Sequence, residues 1–257
     1  MTSSTEPFAA QFAGKTVLVT GAGRSLGRQL ALDFAAAGAN VAVNYSASEG
    51  PAQETVAEIE AAGGRAFAIK ADIAVKDQVD AMVEKIVAAF GGVDILINSA
   101  GLSVDAPFLE ISEDDWDRVI DVNLKGPFLL SQAVGRHMVA AGWGRIVNIS
   151  ATSAIQARPG NANYAASKGG LNLLTQSMAL ELGPGVTVNA VGLGFVDSPL
   201  VRELFTPEQR AAAESGVPLK RMTTYAETSK FVMMLASDAA AFVTGQTIPF
   251  DGGRVMR

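Results

Sequence analysis

Short runs of β-branched and other apolar residues alternate along this 257-residue chain with alanine-rich stretches of helical spacing, from residue 16 almost to the end. No other feature constrains the fold as strongly. A strand that is apolar on both faces must be covered on both sides, and a helix between successive strands supplies that cover. The pattern predicts strands over 16–20, 40–44, 66–70, 93–98, 145–150, 186–191 and 247–250, and helices over 25–37, 51–62, 76–90, 112–140, 163–182 and 225–237. Ser112 and Asp115 form a capping pair at the start of the longest helix, and Gly126-Pro127 inside it predicts a local distortion. The expected fold class is α/β: one doubly wound parallel sheet of about seven strands with helices on both faces. No linker or shift in composition divides the chain. Residues 14–257 are therefore read as one domain, 1–13 as a disordered leader, and 192–218, longer than an ordinary connection, as a substrate lid.

Composition narrows the chemistry. The chain has no Cys, which removes disulfides, thiol catalysis, zinc–thiolate sites and iron–sulfur clusters. Its one His, His137, excludes a multi-histidine metal site, so no metal is expected. With 20 basic and 26 acidic side chains the net charge is −6, which argues against a nucleic-acid or anionic-membrane partner. No apolar run reaches the roughly 18 residues of a membrane span, and the first ten residues have neither a basic region nor an apolar stretch. A cytoplasmic location is the expectation. The chemistry falls to Ser, Thr, Tyr, Lys, Asn and carboxylates, or to a bound cofactor.

Thr20-Gly21-Ala22-Gly23-Arg24-Ser25-Leu26-Gly27 follows the first strand and opens a helix. Glycines at such a turn let the backbone approach a pyrophosphate, whose charge then faces the helix N-terminus. An NAD site places an acid near the end of the second strand to hold the ribose 2′-hydroxyl. Here that strand ends in Asn44-Tyr45-Ser46, and Arg24 supplies a cation in the turn, a combination suited to a 2′-phosphate and hence to NADP(H). Tyr164 and Lys168 stand four residues apart on one helix face. A nearby ammonium stabilises the phenolate and lowers the Tyr pKa towards neutrality, so Tyr164 could exchange a proton with a substrate alcohol or carbonyl. Asn123, beside Gly126-Pro127, is read as the anchor of a water leading to Lys168, or as a tolerated solvent-facing residue.

Together with Asn98-Ser99-Ala100-Gly101 after the fourth strand and Asp251-Gly252-Gly253 near the end, these motifs resemble, in order, the short-chain dehydrogenase/reductase family, with its Rossmann-type fold. The resemblance spans about Gly14 to the C-terminus, and within the family it is most similar to 3-oxoacyl-acyl-carrier-protein reductases and glucose-dehydrogenase-like members. It implies that Gly21, Arg24, Ser25, Leu26 and Gly27 hold the cofactor phosphates, with Asn44 and Ser46 nearby. It further implies that Asp72 and Ile73 meet the adenine, and that Asn98, Ala100 and Gly101 line the cleft. Gly194, Val196 and Ser198 would wrap the nicotinamide, Tyr164 would be the general acid/base, Lys168 would bind the ribose, and Asn123 would hold a relay water. The implied activity is NADP(H)-dependent interconversion of a small ketone and a secondary alcohol, in a homotetramer.

The chain departs from the family pattern at Ser25, Ser99 and Leu193, and most of all at Ala151, where a catalytic Ser is expected 13 residues before the Tyr. Ser153 shares the strand-face parity of Ala151 if the extended backbone persists. Ser150 would need a change of register. Otherwise the site lacks that hydroxyl, which leaves open a nucleotide-binding protein with little turnover. A sugar or polyol dehydrogenase is the alternative within the class.

Overall fold

The computed structural model describes residues 11–256, and of Leu200 and Leu204 only the backbone. Seven strands, β1 (Thr16–Val19), β2 (Asn40–Tyr45), β3 (Arg65–Lys70), β4 (Ile95–Asn98), β5 (Gly144–Ala151), β6 (Val186–Leu193) and β7 (Thr247–Phe250), form one sheet in the order β3-β2-β1-β4-β5-β6-β7. Every pairing is parallel. The helices are α1 (Ser25–Ala36), α2 (Glu49–Ala61), α3 (Lys76–Phe90), α4 (Glu113–Ile120), α5 (Gly126–Ala141), α6 (Ala162–Leu182), α7 (Pro199–Leu204), α8 (Pro207–Ser215) and α9 (Tyr225–Ala236). The strand order reverses direction between β1 and β4, and in such sheets ligands bind outside the carboxyl ends of the strands at that crevice.

Strand periodicity explains the two-sided cover. Val17 and Val19 of β1, with Ile95 and Ile97 of β4, pack into a core under α1, α2 and α9, whereas Leu18 and Leu96 point to a second core under α3, α5 and α6. All six of these side chains are fully buried, as expected for parallel strands.

Three expectations need correction. Residues 1–10 of the expected leader lie outside the described residues, but its end belongs to the fold. Phe12 is 1% exposed and meets the Phe34 ring edge-on at 5.1 Å, so burial of a large ring fixes the chain before β1. The single helix expected over 112–140 is broken: Ser112 caps α4 through the amide of Asp115 at 3.1 Å, and a π-helical turn, Asp121–Lys125, then separates α4 from α5. Pro127 cannot donate a helical hydrogen bond, and the extra residue of the π turn absorbs that loss. Finally, 192–218 is not one long connection. β6 continues to Leu193, and α7 and α8 follow, each with proline in its first turn and a Ser or Thr cap.

Candidate active site

The ends of β1, β4 and β5 are tied to one another by side chains before any ligand is considered. Thr20 Oγ1 accepts from the amides of Ser99 and Ala100, each at 3.0 Å, which draws the loop after β4 against the glycine turn. Across the next pair, Asn98 Nδ2 donates to Asn148 Oδ1 at 2.8 Å, and Asn148 Nδ2 donates to Thr175 Oγ1 on α6 at 2.8 Å. Thr175 in turn donates to the Leu171 carbonyl at 2.8 Å. These side chains are buried, where paired polar groups are strongly directional and unpaired ones costly.

The glycine turn is shaped for a close approach of chain to chain. A Cβ on Gly27 would lie 2.4 Å from the Gly21 carbonyl oxygen, so only glycine lets α1 start where it does. Ser25 adopts φ +53°, the left-handed region, at the position where the resemblance expects glycine. For a residue with a Cβ this costs about 1–2 kcal/mol, strain of a kind found at ligand sites. The N-terminus of α1 has no side-chain cap and no acid in its first turn, which leaves its amides open to an anion. Arg24 is exposed and makes no ion pair among the described residues, while Leu26 is buried beneath the turn.

The other expected cofactor residues divide into free and committed groups. Ser46 and Asp72 are exposed at the ends of β2 and β3, Asp72 accepting from the Ala74 amide at 2.9 Å. Ile73 is buried, and Ala100 and Gly101 border the cleft between the β1 and β4 ends. Asn44 is different: it is buried, and its amide nitrogen donates to the Ile69 and Ala71 carbonyls at 3.3 and 3.1 Å, fastening β2 to β3. Gly194 donates its amide to Phe250 at 3.2 Å, Val196 bridges to Thr223, and the Ser198 hydroxyl caps α7 by accepting from Val201 at 3.1 Å.

Tyr164, Lys168, Leu171 and Thr175 share the face of α6 that packs on β5. Lys168 is 4% exposed. Its ammonium donates to the Ile149 carbonyl at 2.7 Å and lies 5.7 Å from the centre of the Tyr164 ring. Burial brings its pKa down to about 8. Two ammonium donors remain, and they sit beside Gly101, where a Cβ would stand 3.5 Å from Nζ. The lowering of the Tyr164 pKa expected from Lys168 is not seen: the phenol is partly buried and is pushed up to about 12 by burial, eased by Arg158 and reinforced by Asp105.

Asn123 is fully buried in the π turn, which removes the solvent-facing reading. Its Oδ1 accepts from the Leu102 amide at 2.9 Å, and its Nδ2 donates to the Leu102 carbonyl at 2.9 Å and to Ser167 Oγ at 3.1 Å. Both amide protons are taken, so the side chain holds the loop after β4 against α6 and has no donor left for a water.

At Ala151 the three alternatives separate. Ala151 is buried at the end of β5, an apolar methyl in place of a hydroxyl. Ser150 points to the other face and donates to Asn172 Oδ1 at 2.6 Å. The parity argument for Ser153 fails because the extended backbone stops at Ala151 and a 3₁₀ turn, Thr152–Ala154, follows. Ser153 instead donates to Asn161 Oδ1 at 3.2 Å, with the Asn161 amide in the orientation that satisfies both its ends. His137 is exposed on α5, and among the described residues no cluster could hold a metal ion. The same residues include no helix long and apolar enough to cross a membrane.

Sequence reasoning missed Thr20, Asn148, Asn163, Ser167 and Thr175, whose work is to orient others.

Comparison with known proteins agrees with this geometry. A family model described as Enoyl-(Acyl carrier protein) reductase matches residues 21–254. The 3-oxoacyl-[acyl-carrier-protein] reductase FabG of Staphylococcus epidermidis is 42% identical over 243 residues, 94% of this chain and 99% of that protein. The 3beta-hydroxysteroid dehydrogenase 1 of Eggerthella lenta is 42% identical over 246 residues, 95% of this chain and 94% of its own. Among solved structures, a gluconate 5-dehydrogenase from Burkholderia cenocepacia in complex with NADP and tartrate superposes with a TM-score of 0.89 at 34% identity, covering 96% of this chain and 98% of that one. A short-chain type dehydrogenase/reductase from Mycobacterium marinum gives 0.90 at 33% identity, covering 98% and 100%. With the parallel sheet, the glycine turn and the Tyr164/Lys168 pair, these matches show that the chain belongs to the short-chain dehydrogenase/reductase family of oxidoreductases.

Proposed function

We propose that this oxidoreductase interconverts a ketone and a secondary alcohol with NADP(H), with Tyr164 as the general acid/base. The observation that carries the reading is Lys168: a buried ammonium with one protein acceptor and two donors to spare, one helical turn from a phenol. A ribose diol would satisfy those donors. The uncapped start of α1 and the unpaired Arg24 fit the phosphates of the same cofactor, Arg24 taking the 2′-phosphate. Ser46 and Asp72, exposed at neighbouring strand ends, are the groups free to meet the adenosine.

When bound, a reduced nicotinamide supplies the hydride to the carbonyl carbon. Tyr164 delivers the proton from its Oη to the carbonyl oxygen. Burial holds the phenol above its ordinary pKa, so it is protonated at neutral pH, the state that a proton donor needs. Lys168 holds positive charge near the phenolate that forms, and Asn123 fixes the loop carrying Leu102 against α6. The names of the relatives, a 3-oxoacyl reductase, a hydroxysteroid dehydrogenase and a gluconate dehydrogenase, support a substrate with its oxygen on a secondary carbon. Exposed Phe128 and Val139 on α5, with Leu173 and Leu180 on α6, support a homotetramer.

Ala151 favours a second reading, a dinucleotide-binding protein of little turnover. One experiment separates the two: NADPH oxidation against a panel of a 3-oxoacyl thioester, a 3-ketosteroid and a keto-sugar acid, before and after Tyr164→Phe. Turnover that vanishes in the variant while NADPH affinity stays within about twofold supports the enzyme. Near-normal activity in Tyr164→Phe removes Tyr164 from the mechanism, and no turnover on any substrate supports the second reading.

A further inference from the structure

The main chain of Tyr164 is gripped at both ends by buried side chains that lead to a single loop. Its amide donates to Asn163 Oδ1 at 2.7 Å, and Asn163 Nδ2 donates to the Val104 carbonyl at 3.1 Å. Its carbonyl accepts from Ser167 Oγ at 2.7 Å. Ser167 in turn accepts from Asn123, which is bonded to both the amide and the carbonyl of Leu102. Asn163, Ser167 and Asn123 are all fully buried. Leu102 and Val104 belong to the loop after β4, whose Gly101 passes beside Asn123 and the Lys168 ammonium.

The link through Asn163 is more than a helix cap. The amide at the third position of a helix is ordinarily taken by the side chain of the cap residue. Asn161, which precedes α6, makes no such bond, and its amide group is turned to the Arg158 carbonyl and to Ser153. Asn163, inside the first turn, takes the amide of Tyr164 instead. Only one orientation of its side chain lets oxygen meet that amide while nitrogen meets the Val104 carbonyl. A plain cap needs an acceptor alone. Asn163 supplies acceptor and donor together, and so joins loop to helix at the residue that bears the phenol.

We propose that Asn163 is a positioning residue for proton transfer: it fastens the main chain of Tyr164 to the Val104 carbonyl, so that the loop after β4 and the phenol-bearing turn of α6 are set as one piece. The proposal rests on the reading of Tyr164 as the general acid/base. Placement decides that step, because the proton passes only between atoms already within hydrogen-bond reach. Misplacing a reacting group by about 1 Å can cost roughly 100-fold in rate.

Asn163→Asp separates capping from positioning. The carboxylate keeps an acceptor for the Tyr164 amide, and a negative charge suits the first turn of a helix. It has no proton to give to Val104. The measurement is single-turnover reduction, with NADPH in excess, of the panel ketone that the unmutated protein reduces fastest, in water and in deuterium oxide. In Asn163→Asp the rate should fall roughly 10- to 100-fold, with NADPH affinity within about twofold. The solvent isotope effect should grow, because proton delivery has become the slower partner. Asn163→Ala brings no charge into the buried site, removes both bonds, and should lose at least as much. It carries the test if Asn163→Asp does not fold.

A merely structural role lowers the fraction of protein that binds NADPH and leaves the rate per bound site and the isotope effect unchanged. That pattern in either variant would overturn the proposal. Undiminished transfer in Asn163→Asp would also overturn it and leave Asn163 an ordinary cap. Tyr164→Phe in the same assay tells this failure from that of the underlying reading. An inactive Tyr164→Phe beside a fully active Asn163→Asp removes the positioning role alone, whereas an active Tyr164→Phe removes both.

Discussion

Replacing Lys168 with methionine isolates what it costs to hold an ammonium inside this protein. Lys168 is 4% exposed, and burial lowers its pKa from 10.5 to about 8. The unfolded chain keeps this proton up to about pH 10.4, whereas the folded protein releases it from about pH 8. Between those limits the unfolded state binds more protons, so stability rises with pH across the window. The cost of the buried charge is fully present below about pH 8 and is gone above about pH 10.4. A fall of roughly 2.5 in pKa is worth about 3 kcal/mol. The side chain of Met is close in volume and carries no charge, so Lys168→Met removes that term. It also loses the charge-assisted bond to the Ile149 carbonyl, worth about 1.5–3 kcal/mol. The variant should therefore be more stable than the unmutated protein at neutral pH by roughly 1 kcal/mol, and inactive. Urea unfolding of both proteins, in steps from about pH 7 to about pH 11, tests this through the difference between their stabilities, in which all other titrating groups cancel. The difference should change by about 3 kcal/mol across the window. A difference that does not vary with pH would refute the reasoning, because the ammonium would then be as well solvated folded as unfolded.

Two further expectations concern cofactor and substrate. Arg24→Ala should weaken NADPH binding by roughly tenfold at low salt, with NADH binding little changed; equal dissociation constants for the two cofactors in the unmutated protein would remove Arg24 from the 2′-phosphate. Ala151→Ser should raise single-turnover hydride transfer roughly 10- to 1000-fold, with NADPH affinity unchanged, by restoring a donor to the substrate oxygen. If Ser153→Ala abolishes transfer and Ala151→Ser leaves it unaltered, the hydroxyl is supplied from the 3₁₀ turn after all.

The sheet was legible because its signal is periodic and local. Val17, Leu18 and Val19 alternate between two cores, and such runs punctuated by Gly-rich turns leave few other folds. Helix α3 appears with the bounds its pattern predicts, Lys76–Phe90, because Gly91 at φ +88° closes it. The π turn was half legible: Pro127 announced a defect but not its kind, because an extra residue in the helix depends on what Asn123 can reach across the chain. The parity expected for Ser153 lapsed for a similar reason. Face parity holds only while a strand lasts, and β5 ends at Ala151. Tyr164 and Lys168 stood out by spacing. The residues that orient them did not, since a bond such as Asn148 to Thr175 joins positions 27 residues apart with no shared pattern.

That buried line of side chains, from Asn98 through Asn148 to Thr175, bears on how α6 can move. A helix lying on a sheet through apolar contacts alone resembles a greased bearing, able to slip or roll with small losses at each contact. Directional bonds between β4, β5 and the helix act as a key in that bearing. Advancing α6 by a single residue would shift it about 1.5 Å and turn it by roughly 100°, which takes Thr175 out of reach of Asn148. Only one seating of the helix closes the line. The seating of Tyr164 thus depends in part on a fully buried threonine about 16 Å further along the same helix.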